Sequence, residues 1–164
     1  MNDLTQIWTD FSNEYLDKLN SGLSVEGIDN NDIWELIPKD LKIILKINNG
    51  QDLAANGIFR KLINGKPIDQ YKFLDFDNIL KFYEIVKSFN ITNIEDFEIP
   101  FAIIESQDQG GFGFSINRID SSINYISFNE KDYNGGTIHN KGIFKYSNNF
   151  TDFIEHQKII KQFK

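Results

Sequence analysis

Three stretches that follow Pro100, namely Phe101-Ala102-Ile103-Ile104-Glu105, Phe112-Gly113-Phe114-Ser115-Ile116 and Ile123-Asn124-Tyr125-Ile126-Ser127-Phe128, set the fold class. Each is short, apolar and rich in Ile and Phe, the composition of a β-strand. The second and third alternate apolar and polar positions, which predicts antiparallel strands buried on one face. Gln107-Asp108-Gln109-Gly110-Gly111 and Asp120-Ser121-Ser122 lie between them and supply the turn chemistry of a meander.

Downstream, Gly135-Gly136 marks a further turn and Gly142-Ile143-Phe144-Lys145-Tyr146 a further strand. The chain closes with Asn149 or Thr151 as the cap of a helix whose apolar members are Phe153, Ile154, Ile159, Ile160 and Phe163. Upstream the period is helical. Leu4, Ile7, Trp8, Phe11, Tyr15, Leu16 and Leu19 recur at spacings of three and four, predicting a helix that stops at Asn20-Ser21-Gly22. Ser24 to Glu35 is a polar connection. Pro38 opens a second helix with Leu41, Ile44 and Leu45 inward, ended by Asn48-Asn49-Gly50. Gln51 to Gln70, with Gly57, Gly65 and Pro67 and no clear period, is expected to be a long loop. A short strand at Tyr71–Leu74 precedes a third helix, capped by Asp75 or Asp77 and reaching about Ser88, with Ile79, Leu80, Tyr83 and Val86 inward. The expectation is an α+β fold in one domain over residues 1–164, a mainly antiparallel sheet packed against N-terminal, central and C-terminal helices.

Composition narrows function mostly by exclusion. With 40% hydrophobic and 25% charged residues the chain has ordinary globular usage. There is no cysteine, so disulfides and thiolate chemistry are absent. Met1-Asn2-Asp3-Leu4 offers neither a basic nor an apolar leader, and no run of about 18 apolar residues occurs. A cytoplasmic protein away from membranes is expected, in which the sequons at Asn90 and Asn149 are chance matches.

Motifs that carry chemistry are incomplete. Ser24 to Glu35 resembles a calcium loop only superficially, since Asp29, Asn31 and Ile33 break the ligand pattern and the central glycine is missing. Gly65-Lys66 lacks the first glycine and the hydroxyl of a phosphate-binding loop, since Arg60 and Pro67 stand there. Gly110-Gly111-Phe112-Gly113 falls between strands, where a dinucleotide fingerprint does not belong. His139 and His156 are too few for a zinc cluster, and no nucleophile elbow surrounds any serine. No catalytic residue, metal or cofactor is assigned; a hydrolase built on clustered carboxylates is the enzymatic alternative, recognisable by a deep pocket holding two perturbed acids.

Charge is more informative. The chain carries a formal −7, and residues 88 to 140 hold eight acids against two bases, a net of −6, so the rest is nearly neutral. Direct nucleic-acid binding is disfavoured, because phosphate affinity rests on clustered Lys and Arg. A solvated surface that aids solubility is the plain alternative to a docking face.

The order of motifs resembles one family. Ile37-Pro38-Lys39-Asp40-Leu41, then Asn48-Asn49-Gly50-Gln51-Asp52, Gly57-Ile58-Phe59, Tyr71 to Leu80, Pro100-Phe101-Ala102 and Phe150-Thr151-Asp152-Phe153-Ile154 are similar in order and spacing to the signature of the SUKH superfamily, the Smi/Knr group of bacterial toxin-immunity proteins and fungal cell-wall regulators. That resemblance implies an α+β fold without catalytic residues, and either an immunity protein that neutralises a polymorphic toxin, commonly a nuclease, or a regulatory scaffold for cell-wall synthesis. The scaffold reading calls for long disordered flanks, which this sequence does not contain. The expected function is therefore binding to a basic cognate toxin through an acidic surface. Glu105, Asp108, Asp120, Glu130 and Asp132 are the expected contacts, and Phe112 and Tyr133 the aromatic anchors, with core packing as the alternative for the aromatics.

Overall fold

The computed structural model describes residues 3–24, 28, 32–63, 66–88, 98–104, 111–127, 132–133, 137–138 and 142–162. Among these, helix α1 (Leu4–Ser12) starts where the Asp3 carboxylate accepts the Gln6 backbone N–H at 2.9 Å and buries Leu4, Ile7, Trp8 and Phe11. It ends earlier than its apolar stripe. One 3-10 turn (Asn13–Tyr15) follows, and Leu16 is 60% exposed. Residues 18 to 23 have another use: Asn20 N–H donates to Gly50 O, Asp52 N–H to Lys18 O and Leu23 N–H to Leu45 O, so the chain runs extended along the segment after α3.

Helix α2 (Asp32–Leu36) lies where a connection was expected; five residues are too few to show a period, and its anchor is Trp34, edge-on to Phe76 with ring centroids 5.4 Å apart. Helix α3 (Lys39–Ile47) begins after Pro38 and buries Leu41, Ile44 and Leu45, as its spacing predicts. The largest departure is the expected loop from Gln51 to Gln70. Strand β1 (Phe59–Ile63) and strand β2 (Lys66–Phe73) form an antiparallel hairpin there. Among the described residues only Tyr71–Phe73 of β2 pair with the next strand, so Lys66–Gln70 have β1 as their sole described partner. Pro67, beside the first residue of β2, and the polar residues around it hide the strand character.

Helix α4 (Phe76–Ser88) is capped by Asp75, whose Oδ1 accepts the Asn78 backbone N–H at 2.8 Å, and it buries Ile79, Tyr83 and Val86, with Leu80 half-buried. Strands β3 (Glu98–Ile104), β4 (Gly111–Asn117) and β5 (Ile123–Ser127) form the meander. A two-stranded ribbon of β6 (Asp132–Tyr133) and β7 (Thr137–Ile138) comes next, then β8 (Gly142–Ser147) and helix α5 (Phe150–Ile160), capped by Asn149. The main sheet has six strands in the order β1-β2-β3-β4-β5-β8, every neighbour antiparallel. The fold is α+β. No described helix is long and apolar enough to cross a membrane.

Helix α5 touches both edge strands, β1 and β8, so the sheet curls around it. Phe153 is the pivot, within 5.0 to 5.5 Å of the rings of Phe59, Phe101 and Phe114. Ile154 and Ile160 are buried with it, but Ile159, expected inward, is 53% exposed; Phe163 lies outside the described residues. Buried Gln157 seals the β1 edge: its Oε1 accepts Arg60 N–H at 2.8 Å and its Nε2 donates to Arg60 O at 2.6 Å. Phe101 is the extra residue of a bulge against β4, and Gly113, opposite Ile103, adopts φ +152, where a Cβ would stand 1.9 Å from Ala102 O. Strands β4 and β5 are not half-buried as expected. Gly113 to Ile116 and Ser122 to Asn124 are all buried, polar residues included.

Candidate functional site

Those polar residues converge on one carboxylate. Glu98 opens β3 directly opposite Asn117, and Ser115, two residues before Asn117, is directly opposite Asn124 on β5. Cross-strand partners and residues two apart share a face, so one acid and three donors meet between three strands. Glu98 Oε1 accepts from Ser115 Oγ at 2.6 Å and from Asn124 Nδ2 at 2.8 Å, and Oε2 accepts from Asn117 Nδ2 at 2.6 Å. Glu98 is 1% exposed. Burial pushes its pKa above the ordinary carboxylate range, the bonds from Ser115, Asn124 and Asn117 pull against this, and the negative charge of Asp120 adds a further push upward.

Asn117 carries the network to the surface. While Nδ2 holds Glu98, its Oδ1 accepts the backbone N–H of Ile119 at 2.8 Å and of Asp120 at 3.2 Å. Its own N–H donates to Ser122 O and its carbonyl accepts Ser121 N–H, closing the β4–β5 turn. Asp120 Oδ1 accepts Ser122 N–H at 2.9 Å, and Ser121 sits at φ 62, the one described residue besides glycine in the left-handed region. The turn therefore has its shape fixed by side chains, and it presents Ile119, 70% exposed, next to exposed Asp120. Hydrogen bonds from Ser122 hold the Asp120 carboxyl below its usual pKa, assisted by Lys145.

Of the seven residues expected to contact a partner, Asp120 is where the sequence places it, in an exposed turn. Phe112 lies in β4, and Asp132 and Tyr133 form β6, but their side-chain surroundings fall outside what is described; Glu105, Asp108 and Glu130 lie outside the described residues altogether. One acid of the negative stretch is corrected. Glu98 is interior and adds nothing to a docking surface. Neither Glu98's role nor Ile119 was singled out by sequence reading. The available signal was the run of polar residues Ser115, Asn117 and Asn124 at facing positions in otherwise apolar strands.

The stretch Asn48-Asn49-Gly50-Gln51 builds scaffold. Asn48 Oδ1 accepts Trp8 Nε1–H at 2.9 Å, and Asn49 Oδ1 accepts Phe76 N–H at 2.8 Å. Gln51, 1% exposed, takes Ile58 N–H and Phe73 N–H on Oε1 and donates Nε2 to the carbonyls of Asp52 and Asn56. Elsewhere, an open cleft of about 500 Å³ between the ends of α1 and α5 is lined by both signs of charge, with Lys161 bridging Glu14 and Arg60 and Lys158 nearby. No three His, Asp or Glu side chains among the described residues are grouped to hold a metal. His156, whose pKa burial lowers, packs edge-on against Tyr146; His139 lies outside the described residues. Set against models of known protein families and against curated proteins, the sequence matches none.

Proposed function

We propose that this chain is a non-catalytic binding protein of the cytoplasm that neutralises a basic toxin, of the kind nucleases represent, by docking an acidic surface on it. The observation that carries the proposal is the charge of residues 88 to 140. With Glu98 taken inside, seven acids remain there against Arg118 and Lys131. A nuclease must be positive where it grips phosphate, and complementary charge steers encounter. Asp120 sits in that stretch on a turn whose shape is set before any partner arrives, which lowers the ordering entropy of association. Ile119 beside it supplies the apolar centre that a charged rim needs. The order of motifs that resembles the SUKH superfamily supports the same reading.

The test is association kinetics with the protein encoded by the adjacent gene. Asp108→Lys, Asp120→Lys and Asp132→Lys should together slow association by about tenfold or more at low salt, with the difference shrinking as salt rises. A rate that neither the reversals nor salt alter would sink the acidic-face reading.

A further inference from the structure

Three unusual features of this molecule are joined through the β4–β5 turn. Glu98 is a carboxylate buried among donors, Ile119 is the most exposed large apolar side chain among the described residues, and Ser121 is the one described non-glycine residue at positive φ. Asn117 connects them, because its two amide ends face opposite ways, Nδ2 inward to Glu98 and Oδ1 outward to the Ile119 and Asp120 amides.

We infer that the charge on Glu98 sets the shape of the β4–β5 turn: the ionised carboxylate fixes Asn117 in the one orientation that lets its oxygen hold Ile119 and Asp120, and protonation loosens that hold. The inference rests on the reading that this turn belongs to the docking face, and it gives that face an acid-sensitive control.

The chemistry runs through the acceptor. An ionised carboxylate only accepts, and here two oxygens accept three donors. Oε1 has two of them and Oε2 one, so Oε2 has the lone pair open to a proton. Once protonated, the acid oxygen facing Asn117 Nδ2 is a neutral hydroxyl, and the bond loses its charge assistance, about half its strength. If Asn117 turns to accept from the new O–H, its Oδ1 leaves Ile119 and Asp120. Protonation at Oε1, which the Ser115 hydroxyl can rotate to accept, also removes the negative charge that Asn117 feels. Both routes loosen the turn.

Among the described residues the charges around Glu98 are few. Asp120 acts on it through space from the turn. Lys145 on β8 stands opposite Asn124 and is exposed. Arg118 neighbours Asn117 in the chain. Helix α4, packed on β3, buries Tyr83 while its Asp77, Lys81 and Glu84 are exposed. Among the described residues the Glu98 carboxylate is held by three neutral donors, Ser115, Asn117 and Asn124.

The experiment is a carboxyl-carbon and amide NMR titration of the free protein from neutral pH to about pH 3. Burial places the Glu98 midpoint above the ordinary carboxylate range and the Ser122 bonds place that of Asp120 below it, so the two separate. The Ile119 amide is expected to shift with the Glu98 midpoint, and its hydrogen-exchange protection to fall about tenfold across it. Glu98→Gln should abolish that upper transition at Ile119. Asp120→Asn, a surface change, should abolish the lower one and leave the upper in place, which keeps the test available if Glu98→Gln does not fold. An Ile119 amide that follows only the Asp120 midpoint, or does not move, overturns the inference, as does loss of both transitions in Asp120→Asn. Because the titration needs no partner, failure of the charge reversals against a toxin would remove the docking reading and leave this result standing.

Discussion

Gln51 and Glu98 are nearly isosteric side chains, both 1% exposed and each holding several hydrogen bonds, yet they hold their surroundings in opposite ways. Gln51 is donor and acceptor at once, so it takes bare backbone as it comes: N–H of Ile58 and Phe73 on one side, carbonyls of Asp52 and Asn56 on the other. Glu98 only accepts, and its described hydrogen-bond partners are side-chain donors, from Ser115, Asn117 and Asn124. A neutral knot of backbone is indifferent to pH and rigid. A charged knot of side chains is adjustable, and it sits beneath the turn proposed to meet a partner.

The largest effect should come from the rigid knot. Gln51→Ala orphans two buried N–H groups and at least two carbonyls, each worth about 1–3 kcal/mol when left unsatisfied, partly recovered by water in the 52–56 loop. The expected loss is about 3–5 kcal/mol in urea denaturation, equal at pH 5 and pH 8. A loss below about 1 kcal/mol, or one that changes with pH, breaks the contrast.

Glu98→Ala should cost less, about 1–3 kcal/mol at neutral pH, because side-chain donors can turn to other acceptors and the desolvated charge disappears with its partner bonds. The sharper measurement is the pH dependence of the unmodified protein. A folded-state pKa above the unfolded value means the native state binds the proton more tightly between the two. The Glu98 contribution is therefore fully present below the unfolded pKa and is lost as pH rises through the folded one. Urea midpoints compared with those of Glu98→Gln should show that loss in the unmodified protein alone. Asp120, with its pKa lowered, contributes in the opposite sense: its stability is present above the unfolded value and lost as pH falls through the folded value. Asp120→Asn should remove that acid limb and spare the rest.

The sequence made the meander, four of the five described α-helices and the caps at Asp75 and Asn149 legible, because each rests on local period or local hydrogen bonding. It concealed whatever depends on distant chain. The helix stripe through Leu16 and Leu19 is a valid pattern overruled by pairing with residues 50 to 52. The β1–β2 hairpin looks like loop because Gly65, Pro67 and the polar residues around them show no alternation, and only the register with β1 reveals the pairing. Glu98 counted toward the acidic face because a buried carboxylate is unusual without a cation, and only the register of three strands reveals its donors. Asp120 was readable, since turn chemistry and exposure go together; Ile119 was not, since an isolated Ile between Arg118 and Asp120 carries no period.

The smallest expected effect tests whether the turn is held against a local preference. An L-residue other than glycine in the left-handed region is disfavoured by about 1–2 kcal/mol, and Ser121 stands at φ 62 because Asn117 and Ser122 close the turn around it. Glycine there removes that strain but adds about 0.5–1 kcal/mol of backbone entropy to the unfolded chain. Ser121→Gly should thus raise stability by a few tenths of a kcal/mol to about 1 kcal/mol in urea denaturation. The knot at Glu98 supplies the tension in this account, so the gain should be smaller in a Glu98→Gln background, where the turn is already loose. An equal gain in both backgrounds would place the strain in the turn alone and cut it off from the buried carboxylate.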